Sequence, residues 1–218
     1  MVRVRYSAPV AESIPSASSR AQPVSAPFAV AVDTREQMSY TFRGLRQRRS
    51  DGGAPLVVRT QWRTLRAGDY SIVGYEDRVA IERKTLADLY STLAQGRDRF
   101  EAEFDRLAEL DFAAIAIEST WETIAKGYAR SLLSPESVIG TAIAWAQRYG
   151  VHWMALGDRH LAEAWTYRAL ELWWRDYQEA IARPGHHCRY CGRALTDERS
   201  IDCGMGPWCR KRKVREDM

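Results

Sequence analysis

The sequence predicts an α/β protein with a mixed central sheet flanked by helices, followed by a small C-terminal zinc-binding module. Three observations carry that expectation. Short apolar runs come first and then alternate with capped, helix-periodic segments. The stretch from Gly68 to Lys84 reads as a β-hairpin ending in charged residues. All four cysteines lie after residue 187, which argues against a disulfide framework for the main domain and for a separate unit.

Taken in order, residues 1–27 are rich in Ala, Ser and Pro with little periodicity and read as a disordered tail. Phe28 to Val32 is an apolar run suited to a buried strand; it ends at Asp33, with Glu36 close behind. Arg43, Arg46, Arg48 and Arg49 precede Asp51-Gly52-Gly53, the mark of a loop. Its arginines either grip a phosphate backbone or are simply solvated. Leu56-Val57-Val58 opens the next strand. Ile72-Val73 and Val79-Ala80-Ile81 are the two arms of the hairpin, with Gly74 to Asp77 as its turn.

Thr85 followed by Asp88 forms a capping box, and fixing this helix is the role favoured for Asp88 over metal ligation. Gly96 breaks the helix and opens another, on which Phe100, Phe104 and Leu107 form a core stripe. Phe112 to Ile117 is the clearest buried strand. Ser119 with Glu122 reads as a second capping box. Ser134-Pro135-Glu136 supplies an N-cap, a proline at the first position and an acid in the first turn, and Gly150 ends that helix. Val151 to Leu156 is the last strand. Asp158 caps a long helix to about Ala182, with Leu161, Trp165, Leu172 and Trp173 as its stripe. Its aromatic excess suits core packing or a contact between copies. His152 and His160 lack acidic or cysteine partners in sequence and read as structural.

With 218 residues, 45% of them hydrophobic, and eight tryptophans, the chain holds one ordinary domain with appendages and a proper core. No apolar run approaches the ~20 residues needed to span a bilayer, and no signal-peptide pattern opens the chain. An intracellular, cytoplasmic protein is therefore expected. The net charge of +4 is uneven: residues 1–27 carry +2 and residues 183–218 carry +4, leaving −2 for residues 28–182. The basic ends suit phosphates, and the acidic middle suits a carboxylate metal site.

The hairpin carries the chemistry. Side chains alternate along a strand, so Glu82 and Lys84 share one face while Arg83 points the other way. Pairing of the arms brings Asp69 level with Glu82. Two acids and a lysine converging on one spot suit Mg²⁺ or Mn²⁺ and phosphodiester cleavage.

Gly68, Asp69, Glu82, Arg83, Lys84 and Asp88 fill every position of G-D-x(n)-E-R-K-x-x-x-D, and the chain resembles the XPF-type nucleases that carry this signature. Val32-Asp33-Thr34-Arg35-Glu36 looks like that family's first-strand D-x-R-E element, and the resemblance covers roughly Phe28 to Ala182. It implies a restriction-endonuclease-like core with a one-metal or two-metal site. In that reading Asp69 and Glu82 bind Mg²⁺ with help from the Arg83 carbonyl. Asp33 and Glu36 complete the site or hold a second ion, and Lys84 orients or activates the attacking water. Arg35 is an expected DNA contact. Arg97 and Arg99 belong to an R-D-R-F stretch similar to one in prokaryotic and phage relatives, implying backbone contact; the alternative is pairing with Glu101 or Glu103.

The resemblance further implies branched or flapped DNA as substrate, products with 5′-phosphate and 3′-hydroxyl ends, and pairing of two copies through the nuclease domain. Relatives that recognise junctions carry a tandem helix-hairpin-helix domain that this chain lacks, so simple duplex DNA stays open as the substrate. A non-catalytic DNA-binding scaffold is the rival from another class, although such partners usually lose the acids or the lysine that are kept here. An RNA-directed nuclease is a further alternative.

The expected organisation is a tail over 1–27, a nuclease domain over 28–183, a zinc-knuckle module over 184–212 and a charged tail over 213–218. Arg183-Pro184-Gly185 is the linker. Cys188, Cys191, Cys203 and Cys209 are the expected Zn²⁺ ligands. The alternative keeps Cys188, Cys191 and Cys209 and takes His186 or His187 as the fourth. Such a small unit needs its metal to fold.

Overall fold

The computed structural model describes residues 21–47, 53–182 and 186–216. The expected tail over 1–20, Arg48, Arg49, Asp51 and Gly52 of the basic loop, and the linker Arg183-Pro184-Gly185 lie outside the described residues.

Six strands form one sheet: β1 (Val24–Asp33), β2 (Leu56–Arg63), β3 (Tyr70–Ile72), β4 (Val79–Thr85), β5 (Phe112–Glu118) and β6 (His152–Ala155), in the order β2-β1-β3-β4-β5-β6. The pairs β1–β2, β4–β5 and β5–β6 are parallel, while β3 runs antiparallel to both neighbours, so the sheet is mixed as expected. β1 starts at Val24, inside the stretch expected to be disordered. The cause is tertiary: Val24 and Ser25 pair with Leu56 and Val57 of β2 before a register shift ahead of Ala29, an interaction no local composition reports.

Each face of the sheet owns a core. On one side Phe28, Val30, Val32, Tyr70, Ile72 and Ile81 pack against α5 (Arg159–Ile181). On the other, Ala80, Ile115 and Ile117 lie under α1 (Leu86–Gln95), α2 (Arg97–Leu107), α3 (Trp121–Lys126) and α4 (Pro135–Tyr149). The α2 stripe is the expected one: Phe100, Phe104 and Leu107 are buried, with Phe104 stacked on Trp153 at 5.3 Å. Parallel strands covered on both faces read as near-continuous apolar runs, and β5 fits that rule.

Helix ends follow the sequence closely, with one displacement. Thr85, Ser134 and Asp158 cap α1, α4 and α5 through their side chains, and Gly150 ends α4 at φ 71°. The cap of α3 is Thr120 rather than Ser119; its hydroxyl accepts from the Thr123 amide at 3.0 Å. The stripe on α5 is also shifted. Leu161 and Leu172 are 55% and 38% exposed, and the buried face is Ala162, Thr166, Tyr167 and Leu170. Tyr167 stacks on Phe28 of β1 at 5.5 Å, and this contact fixes which side of the helix faces the sheet.

The C-terminal region opens with a tight knuckle. The Cys188 amide donates to the Arg193 carbonyl at 2.7 Å and the Gly192 amide to the Cys188 carbonyl at 2.8 Å. Two helices follow, α6 (Glu198–Cys203) and α7 (Pro207–Glu216). α7 runs through the segment expected as a charged tail from residue 213. Pro207 opens the helix, a position proline favours, and no glycine or proline interrupts the residues after it. The small core is Cys188, Leu195, Met205 and Cys209. Arg193 ties the module to the sheet domain, reaching Asp77 at 3.2 Å and Asp111 at 3.6 Å. Among the described residues, no helix is long and apolar enough to cross a membrane.

Candidate active site

The alternation of β4 builds the site. Ile81 packs into the α5 core and Ala80 into the opposite one, so the next residues divide likewise. Glu82 and Lys84 emerge beside α2, and Arg83 emerges toward α5. Asp69 precedes Tyr70, whose ring lies on the α5 side, and therefore shares the face of Glu82. Gly68 makes the entry to β3 feasible. Its φ is +74°, and a Cβ there would stand 2.9 Å from the Ala80 Cβ. The chain then closes on β4 through the Asp69 amide, which donates to the Ile81 carbonyl at 2.9 Å.

Asp69 Oδ2 accepts the Arg83 amide at 2.8 Å, and Lys84 Nζ donates to Glu82 Oε1 at 2.5 Å. These groups line a cleft of about 440 Å³, together with Arg35, Arg99 and Arg106. Burial raises the Asp69 carboxyl well above its ordinary range, the charge of Glu82 adds to this, and the Arg83 amide and Lys84 offset it only in part. For Lys84, burial works against the charged form, but the charge and hydrogen bond of Glu82, with Asp69 and Asp88 behind, raise it above its ordinary value. It is an ammonium. Two buried, mutually repelling carboxylates of all-oxygen character fit a hard divalent cation such as Mg²⁺, which would relieve that repulsion.

On the opposite face Arg83 is clasped by Glu118 in a bidentate pair, Nε at 2.7 Å and Nη2 at 3.0 Å, and reaches Glu36 at 3.4 Å. Arg159 joins Glu118 at 3.3 Å and donates to the carbonyls of Met38 and Ser39. The network fastens the segment after β1 behind β4.

The remaining expected site residues fall into different places. Asp33 is 1% exposed, and its two oxygens accept the Arg35 amide and Nε, Arg35 Nη2 and the Leu65 amide at 2.7–2.9 Å. Burial tends to raise its carboxyl, but these hydrogen bonds and the Arg35 charge outweigh it and hold it below the usual range. Glu36 accepts the Met38 amide and faces Arg83. The structure therefore does not gather Asp33 and Glu36 into one ligand set with Asp69 and Glu82: among the described residues, the group of three or more ligand atoms meeting within 4.8 Å is one of cysteines. Arg35, expected to meet DNA, donates to Asp33 and to the Leu65 carbonyl and borders the cleft.

Asp88 exchanges hydrogen bonds with Thr85, at 2.7 Å to the hydroxyl and 3.1 Å from its own amide, which is the capping role. Arg97 bonds Thr141 Oγ1 at 3.0 Å and lies over Trp145, away from the acids. Arg99 borders the cleft. Neither pairs with Glu101 or Glu103; Glu101 holds Arg148, and Glu103 holds Arg106.

Three residues escaped the sequence reading. Glu103 Oε1 accepts the Gly68 amide at 2.8 Å and so holds the turn that presents Asp69. Arg106 pairs with Glu103 at the cleft wall, and Glu118 holds Arg83. For the first two a signal existed: Arg99, Glu103 and Arg106 recur at helical spacing beside the aromatic stripe. Glu118 gave none, because its partner lies on a neighbouring strand.

Residues 32–169 match the ERCC4 domain. The chain belongs to the ERCC4-domain family. This is the XPF-type nuclease family that the hairpin signature resembles. Among solved structures, XPF from Aeropyrum pernix is similar at 23% identity and a TM-score of 0.48, covering 79% of this chain and 71% of that one. A second structure of XPF from Aeropyrum pernix, in complex with DNA, is similar at 24% identity and a TM-score of 0.48, covering 72% and 75%. No curated protein sequence matches. Residues 179–213 match a family of unknown function, DUF6011.

Behind the ERCC4 domain, the sulfurs of Cys188, Cys191 and Cys209 lie within 4.8 Å of one another. Tetrahedral thiolate coordination of zinc, with Zn–S near 2.3 Å, sets sulfurs about 3.8 Å apart, so this donor set fits. Burial opposes ionisation of Cys188, but amides of Gly206, Cys191 and Tyr190 donate to it and draw it down to about 7. Burial and the hydrogen bonds shared with Cys191 and Cys188 push Cys209 up to about 12. Three thiols so placed ionise together only with a cation among them. Cys203 does not join them: its sulfur contacts the Ser200 and Met205 carbonyls and Arg210. His186 and His187, the alternative fourth ligands, also stand outside the group.

Proposed function

We propose that this ERCC4-family protein is a metal-dependent DNA endonuclease, selective for flap, fork or junction DNA, acting in repair, recombination or replication inside the cell. The observation that carries the reading is the convergence of Asp69, Glu82 and Lys84 on one cleft bordered by Arg99 and Arg106. Asp69 and Glu82, aided by the Arg83 carbonyl, are the residues that would hold Mg²⁺ or Mn²⁺. When bound, the ion supplies Lewis-acid stabilisation of the charge that builds on the phosphate.

The rest falls to the chain. Lys84, anchored to Glu82, offsets negative charge and orients or activates the attacking water. Arg99 and Arg106 hold flanking phosphates in line. Glu103 fixes the Gly68 turn, and Arg83 with Glu118 fixes the strand from behind, so the acids keep their spacing. Asp33 stays a scaffold of the Arg35–Leu65 corner. In-line attack at phosphorus then leaves a 5′-phosphate and a 3′-hydroxyl. Residues 28–183 form the nuclease unit and the cysteine unit positions it on its substrate. Pairing of two copies through the nuclease domain belongs to the same reading, and exposed Leu161 and Leu172 supply apolar surface for it.

The test is cleavage of matched flap, fork, Holliday-junction and duplex DNA, with an RNA counterpart, by wild type and Asp69→Asn. Structure-dependent cutting is expected, falling more than about 100-fold in the variant, since even outer-shell partners of a metal cost 10–100-fold. Binding by both proteins with cutting by neither, in Mg²⁺ or Mn²⁺, would favour the scaffold reading.

A further inference from the structure

We infer that the zinc centre of the C-terminal module is a three-thiolate site of Cys188, Cys191 and Cys209, whose fourth position is taken by water and is open to a neutral aromatic nitrogen donor. The inference rests on the reading that the module binds zinc.

Cys203 is committed elsewhere. It is the last residue of α6, and the chain turns away immediately after it at Gly204, φ +62°. Arg210 Nη1 lies 3.2 Å from its sulfur and also donates to the Met205 carbonyl at 2.6 Å and to Ser200 Oγ at 2.9 Å. Bringing Cys203 into the cluster would give up its sulfur's contacts with the Ser200 and Met205 carbonyls and with Arg210. His186 does not replace it. Its side chain stands outside the converging sulfurs; its Nδ1, buried with no partner, is the rival donor that the His186→Ala variant tests.

What the three sulfurs do face is space. They line a cavity of about 220 Å³ whose other walls include Trp173 and Tyr177 of α5 and Trp208 of α7. A liquid water occupies about 30 Å³, so the cavity has room for a flat heterocycle as well as for solvent. The position is therefore built by both parts of the chain. Zinc sites with three protein ligands and a free fourth position are the open kind, as distinct from closed structural ones.

Charge selects the ligand. Three thiolates and Zn²⁺ sum to −1, and Asp111 and Asp197 border the same cavity. Arg193, the cation there, already pairs with Asp77 and Asp111. An anion is disfavoured, and a neutral nitrogen base flanked by aromatic rings is favoured.

Cobalt substitution of the full chain tests this, read by metal stoichiometry, thiolate-to-metal charge-transfer intensity and the visible ligand-field bands during an imidazole titration. One metal per chain is expected, with equal charge-transfer intensity in wild type and Cys203→Ser, and a saturable ligand-field shift on adding imidazole. Cys209→Ser serves as the ligand-loss control. A drop of about one quarter in charge-transfer intensity in Cys203→Ser would mean four thiolates and overturn the inference. A wild-type spectrum indifferent to imidazole overturns it too; a change in that spectrum in His186→Ala would then name the histidine as the occupant. Wild type that takes up no metal removes the zinc reading itself, a result distinct from the other two.

Discussion

The sheet domain buries two apolar layers, one on each face, whereas the C-terminal module buries little beyond Cys188, Leu195, Met205 and Cys209. The first holds its shape by packing. The second has two of its four core residues in the cysteine cluster, so on the zinc reading its stability and its metal are one quantity. The charged sites differ in the same sense. At the acid cleft the surrounding fold forces repelling carboxylates together, and they are available to a cation because the core has already met that cost. In the module, on the zinc reading, a cation would be what lets the three thiols ionise side by side.

The largest expected effect comes from zinc removal. A strong chelator should abolish amide protection over 186–216 and leave the sheet protected in hydrogen exchange, because structural zinc is worth about 10–16 kcal/mol to small fingers. Loss of protection in both regions at once would join what the comparison separates. Next, Phe104→Ala should destabilise the sheet domain by about 3–5 kcal/mol in denaturant unfolding, with cobalt affinity of the module unchanged.

Asp33→Asn comes third, at about 1–3 kcal/mol, since it leaves buried donors poorly matched. Its pH dependence has a definite sign. The Asp33 carboxyl lies below its ordinary 3.8, so its contribution is complete above that value and is lost as pH falls through the folded value. Thermal melts of the variant should show a flatter acid limb than wild type. The smallest effect is Arg193→Ala, at no more than about 1 kcal/mol for a partly exposed ion pair. It should loosen the module from Asp77 and Asp111, seen as faster exchange at the junction, while both parts stay folded.

Local chemistry was legible in the sequence. The Ser134-Pro135 start and Gly150 end of α4, the apolar run of β5 and the alternation of Glu82, Arg83 and Lys84 all follow from neighbours along the chain. What escaped was set by distant partners. β1 reaches back to Val24 because β2 is there to receive it. Leu161 and Leu172 turn outward because Tyr167 meets Phe28. Cys203 has a plausible spacing, but Arg210 claims it. The site was half legible for the same reason: its acids lie on one hairpin, whereas Glu103 and Glu118 arrive from 35 positions beyond Gly68 and Arg83.

The division of Glu82, Arg83 and Lys84 between two faces has a consequence for how the chain reaches its fold. A slip of β4 by one residue would turn Glu82 and Lys84 into the aromatic layer around Tyr40 and Tyr167 and present Arg83 to the acid of Asp69, while leaving Glu118 with Arg159 alone. A one-residue slip in either direction thus strands several charges in apolar surroundings. The tripeptide of the family signature thereby also acts as an internal check during assembly, favouring the observed alignment of the central strands over the registers one residue away.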